Sequence, residues 1–256
     1  MRRFRVGWDV GGWHCDRNRE SRDALAILEI ERSMPRAVGR RWRGNLRELL
    51  MSKTGSELMI GMLALCRVPH AGDVSEVTVG IDTPLGWPRA MLDLVLGRAT
   101  SSVPADDRVN SYTRRRTEID LIERGIATPL SAVRDMIGSQ STKGIHFLRS
   151  AGLVERSPGV WRGGNNEMAI AAIETYPAAA VATGGIDRLF EAVYPPVDTD
   201  AATPSAVALD DLDDAFRCAI VAHLFADEPD LLEPPPTKVP DGEGWIMLPR
   251  QTRSVL

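Results

Sequence analysis

Four acidic positions in this chain carry the chemistry it is equipped to do. Asp9 closes an alternating run, Phe4 to Val10, just before Gly11-Gly12. Asp82 closes the apolar run Val77 to Ile81 and is followed by Thr83-Pro84. Glu174 closes Met168 to Ile173, ahead of Thr175-Tyr176-Pro177. The fourth position is the cluster Asp210-Asp211-Leu212-Asp213-Asp214 at the start of a long apolar stripe. Asp211 and Asp214, three apart, share one helix face, and Asp210 with Asp214, four apart, can share it too. Carboxylates that converge repel one another and raise each other's pKa. Hard divalent cations such as Mg²⁺ or Mn²⁺ remove that cost with oxygen ligands. Two such ions ~3.5–4 Å apart activate water and stabilise the leaving oxygen in phosphodiester cleavage. The plainer account of Asp210 and Asp211 is a favourable interaction with a helix N-terminal dipole. It explains Asp214 less well, because Asp214 adjoins the stripe beginning at Ala215.

These acids need elements to hold them. Phe4, Val6, Trp8 and Val10 recur at period two and predict a first strand, with the glycines permitting a tight turn or a close approach after it. Ala24–Ile30 predicts a second strand, and 36–42 a third. A helical pattern runs from Gly44 to Cys66, with Gly55 as a bend or break. The strand 77–82 is followed by a helix from Pro88 to Leu96. The segment from Ser101 to Arg116 reads as loop, 117–124 as helix, and 131–153 as one or two helices. The window Gly144–Glu155, with a short turn to Trp161, has the pattern of a recognition helix and wing. A strand at 168–176, a loop at Pro195–Ser205, a helix at Ala206–Ala226, a proline-rich surface crossing at Pro229–Pro240 and a short strand at Gly244–Pro249 complete the chain, ahead of a polar tail. Strand ends in a parallel arrangement fall along one edge of a sheet, which would gather Asp9, Asp82 and Glu174.

Composition sets the bounds. The 256 residues are 43% hydrophobic, which suits one substantial domain with a sizeable core. No run approaches the ~20 apolar residues of a membrane span, and an acid-bearing strand stands where a secretory signal would need its apolar region. Cys15, Cys66 and Cys218 are scattered, as are His14, His70, His146 and His223, so zinc is not indicated and reduced thiols in a cytoplasm are. Net charge is −4, with arginine dense at 17–47 and at Arg114-Arg115-Arg116 and acid dense after 210. A basic surface beside an acidic pocket suits a phosphodiester backbone held against metal ions. A solvated arginine-rich surface accounts for the same residues.

The order of these acids resembles the RNase H-like superfamily, above all its RuvC-type branch. More narrowly, Gly7–Gly12, Gly80–Gly86, Arg115–Glu118, Ile173–Pro177, Asp211–Ala215 and Gly244–Pro249 are similar, in order, to segments of the domain of unknown function 429 family, predicted nucleases. Glu118 departs from the family pattern, where aspartate is more usual. The resemblance implies a single α/β domain, 1–256, with a mixed β-sheet flanked by α-helices and a helical insertion, 101–165, before the Glu174 strand. It implies metal-binding acids at Asp9, Asp82, Asp211 or Asp214, with Glu174 as a further candidate. The expected activity is metal-dependent cleavage of nucleic acid. Arg115 and Arg116 either contact phosphate or pair with the acidic helix and position it. Two alternatives stand beside this one. A phosphotransferase of the actin and sugar-kinase type would need a second glycine-rich phosphate turn, for which Gly184-Gly185 is the late candidate. A non-catalytic binding module would leave the acids solvated.

Overall fold

The computed structural model describes residues 1–18, 21–69, 73–194 and 205–251. Its centre is a mixed sheet in the order β3-β2-β1-β5-β8-β7-β6, with β4 also pairing β2. The strands are β1 (Arg2–Asp9), β2 (Asp23–Glu31), β3 (Met34–Ala37), β4 (Trp42–Gly44), β5 (Val74–Asp82), β6 (Val154–Ser157), β7 (Val160–Gly164) and β8 (Ala169–Glu174). β1, β5 and β8 are mutually parallel, and the strands outside them pair antiparallel. The helices are α1 (Arg47–Ser52), α2 (Gly55–Leu65), α3 (Arg89–Val95), α4 (Arg116–Glu123), α5 (Gly138–Ser150), α6 (Pro177–Ala182), α7 (Asp187–Val193) and α8 (Ala206–Asp227). No helix among the described residues is long and apolar enough to cross a membrane.

Period-two alternation decides which side chains meet which helices. Phe4, Val6 and Trp8 of β1, with Val77, Val79 and Ile81 of β5, face a core built with α1, α2 and α5. The alternate positions, Gly7 and Asp9 with Gly80 and Asp82, therefore face α8. The register pairs them directly, Gly7 with Gly80 and Asp9 with Asp82. The two glycines form a notch into which the α8 backbone drops. A Cβ on Gly7 would collide with the Ala215 carbonyl, and one on Gly80 with that of Cys218. At its far end α8 is tied to the opposite edge of the sheet, where Asp227 accepts from Arg5 Nε at 2.8 Å and from Arg3 at 3.0 Å. The helix thus runs antiparallel to β1, and its acidic first half lies over the ends of β1 and β5. Its start is capped by Ser205, whose hydroxyl accepts from the Ala208 amide.

Several sequence expectations are corrected. The third strand is two, β3 and β4, because Gly39 takes a positive φ between them. The break expected at Gly55 is present: the pattern over 44–66 is interrupted at Lys53-Thr54, and Gly55 (φ +51°) starts α2. The 101–165 segment is not wholly helical. The apparent wing is the β6–β7 hairpin, which extends the main sheet through β8. Gly244–Pro249 forms isolated bridges, Glu174 to Ile246 and Leu232 to Pro249, in place of a strand. Gly11 and Gly12 have no positive φ; Gly11 is needed for close approach to the Arg22–Asp23 peptide. The loop expected at Pro195–Ser205 lies outside the described residues apart from Ser205, as do Arg19, His70 and the tail from 252.

Candidate functional site

Asp9 and Asp82 end neighbouring parallel strands as Cα partners, a spacing of about 4.8 Å. Both point to the α8 side, and both line a cleft of about 210 Å³ at the carboxyl edge of the sheet. Neither carboxylate accepts a hydrogen bond or forms an ion pair with any described residue. Their surroundings make ionisation costly. Burial pushes the Asp9 carboxyl well above the ordinary range, and the negative charges of Asp82, Asp211, Asp214 and Asp23 add to it. Asp82 is raised first by burial and then by Asp214 and Glu174.

The remaining predicted acids have partners. Asp214 Oδ1 accepts from Arg217 Nη1 at 2.6 Å, with the side chains 36% and 27% exposed. An ion pair that open to water holds weakly, and the Asp214 charge is felt by both Asp9 and Asp82. Burial also raises the Asp214 carboxyl, while Arg217 opposes the shift. Asp211 accepts from Arg43 Nε at 2.6 Å and lies on the β2–β4 side. Asp213 is taken by Arg41 and the Tyr194 hydroxyl.

Glu174 reaches the cleft from the other face. In the β5–β8 register it pairs with Ile81, so it shares the parity of the α5-side core, and Thr175 takes the α8 side, donating to Cys218 Sγ at 3.1 Å. Arg115 grips both Glu174 oxygens, at 2.6 and 2.7 Å, and its Nε donates to Glu118 at 2.7 Å. All three are buried. The sequence reading that paired Arg115 with the acidic helix therefore misplaced its partners, which are Glu174 and Glu118. Arg116 points away from the cleft, towards Glu123 and Asp120. Arg114 is also buried, donating to the Pro129 carbonyl, so the triple arginine is no basic surface. In the earlier arginine-rich stretch, Arg36, Arg41 and Arg43 are engaged by acids.

One group escaped the sequence reading. Asp23 and Lys143 form a fully buried ion pair, in which Asp23 also accepts from Trp8 Nε1, the Gly11 amide and the Leu46 amide. Lys143 further donates to the Gly12 carbonyl and to Asn45. The pair locks the turn after Asp9 to β2 and α5. Its one sequence signal is a lysine four residues before the buried Phe147.

The donor set suits a hard divalent cation in a limited sense. Two adjacent, unpartnered carboxylates match an ion that keeps water and phosphate for its remaining positions. Among the described residues, however, no three His, Cys, Asp or Glu side chains converge on one point, so a two-ion arrangement is not assembled. Gly184 takes a positive φ just after α6, the usual way to end a helix, and Gly184-Gly185 therefore follows a helix and forms no strand-borne phosphate turn.

The unpartnered pair has a measurable cost. An acid raised in the folded state contributes stability that is present below its ordinary 3.8 and lost as pH rises through the raised value. Asp9→Asn, with no metal present, is expected to raise Tm at pH ~8 by about 2–4 °C per kcal/mol relieved. The gain should fade towards pH ~4. Thermal scans at the two pH values check this, and a variant less stable than wild type at the higher pH contradicts it.

No protein-family model, no curated protein and no solved structure matches this chain.

Proposed function

We propose that the protein is a divalent-metal-dependent phosphodiesterase acting on nucleic acid, built on an RNase H-like fold. The observation that carries this reading is the Asp9–Asp82 pair, side by side in a cleft with no cation among the described residues paired to either carboxylate. The mixed sheet, the two strand-end aspartates and the acidic helix laid over them support the superfamily reading. Asp9 and Asp82 would hold Mg²⁺ or Mn²⁺. A bound ion would supply charge neutralisation and Lewis acidity at a phosphoryl oxygen.

The chain's own residues supply the rest. Asp214, released from Arg217, brings a third carboxylate to the pair, and its raised pKa suits it to accept the proton of the attacking water. Arg115 fixes Glu174 in the wall. Tyr176, Leu130 and Ile137 give that wall an apolar surface for the sugar or base beside the phosphate.

The test is a cleavage screen over labelled single-stranded and duplex DNA and RNA with Mg²⁺ or Mn²⁺. Lewis-acid stabilisation is worth several kcal/mol, so Asp82→Asn is expected to lower the rate about a hundredfold or more. Cleavage that survives in Asp82→Asn contradicts the assignment. One observation favours a binding protein without catalysis: the absence, among the described residues, of a convergent three-ligand group. That reading predicts nucleic-acid binding with no metal dependence.

A further inference from the structure

The wall opposite the aspartates holds donors that no described residue uses. Thr83 follows Asp82 directly, lines the same cleft and is 5% exposed. Its Oγ1 has no hydrogen-bond partner among the described residues. The methyl side of Thr83 packs on α5, where a Cβ on Gly144 would stand 2.5 Å from Thr83 Cγ2. A buried hydroxyl without a partner costs stability and calls for an explanation. The start of α5 provides the second observation. Ile137 and Gln140, at its first turn, line the same cleft. The amides of Gly138, Ser139 and Gln140 reach no acceptor among the described residues. This 13-residue helix has no side-chain cap and no acid in its first turn. A helix start of that kind carries partial positive charge and free N–H groups, which suit an anion.

We propose that Thr83 Oγ1 and the first turn of α5 form an anion subsite for a phosphate group of the substrate, facing the carboxylate pair across the cleft. The proposal rests on the cation reading above, since phosphate beside Asp9 and Asp82 needs their charge neutralised. Each half of the cleft then has one task. The α8 side, with Asp9 and Asp82, meets the cation. The α5 side, with Thr83 and the helix start, holds phosphate oxygens through neutral donors.

The experiment is a calorimetric titration of inorganic phosphate into the protein at saturating Mg²⁺, with Mg²⁺ alone titrated first. Wild type, Thr83→Val and Thr83→Ser are compared. Thr83→Val keeps the shape and removes the hydroxyl, and it is expected to weaken phosphate binding about tenfold. Thr83→Ser should stay within about twofold of wild type, and all three should bind Mg²⁺ equally. Without ligands, Thr83→Val should melt no lower than wild type, because the lost hydroxyl had no partner. Phosphate binding equal in Thr83→Val and wild type, or no phosphate binding with Mg²⁺ in place, overturns the subsite and leaves the cation reading standing. No Mg²⁺ uptake in the first titration sinks the cation reading and, with it, the subsite that rests on it.

Discussion

Gly7→Ala is expected to destabilise the protein severely, by on the order of 3–5 kcal/mol. The added Cβ would sit in the carbonyl of Ala215 and close to the amide of Ala219. Both are backbone atoms of a helix fully packed along this face, so no side-chain rotation makes room. The helix must lift from β1, opening a core that includes Phe216, Ile220 and Leu224. Overpacking at ordinary core sites costs ~1–3 kcal/mol, and a clash with rigid backbone lies beyond that range. The functional consequence is as direct as the structural one. Asp214 precedes Ala215 by one residue, so lifting α8 withdraws it from Asp9 and Asp82. Chemical denaturation measures the loss. A Gly7→Ala protein within about 1 kcal/mol of wild type would mean that α8 does not sit in the glycine notch.

Arg115→Met is expected to cost about 3–5 kcal/mol, the usual penalty for breaking a buried ion pair from one side. The guanidinium satisfies two buried carboxylates, and its Nη1 also donates to the Glu243 carbonyl at 2.9 Å. Removing it strands Glu174 and Glu118, both almost fully buried. Arg115→Lys should recover little, because an ammonium lacks the planar fork that spans both acids. Glu174→Gln added to Arg115→Met should recover part of the loss by removing one stranded charge. Urea denaturation of the three variants checks this. A stable Arg115→Met protein that loses only substrate affinity would instead make Arg115 a phosphate contact.

The positions of the principal acids were legible where the physics is local. Alternation over Phe4–Val10 and the apolar run over Val77–Ile81 place Asp9 and Asp82 at strand ends, and the stripe from Ala215 places α8. Side-chain parity was also present in the sequence, but it acquires meaning only once register is known. Ile81 opposite Glu174 sends Glu174 to the α5 face, away from the pair. The partners of charged residues were not legible. Arg115 and Glu174 are 59 positions apart, and Lys143 and Asp23 are 120 apart. No short-range pattern links such pairs; they form because each buried charge needs the other once the core closes. The β6–β7 sequence has a wing-like pattern because a short strand pair looks alike whether it stands free or joins a sheet.

The most direct test of the account is Mn²⁺ binding by the full chain, followed by electron paramagnetic resonance, for wild type, Asp9→Asn, Asp82→Asn and Asp211→Asn. Saturable binding that is lost in both Asp9→Asn and Asp82→Asn, yet kept in Asp211→Asn, whose aspartate is already held by Arg43, is the predicted result. Binding that survives in Asp9→Asn and Asp82→Asn alike would contradict a cation site at the ends of β1 and β5.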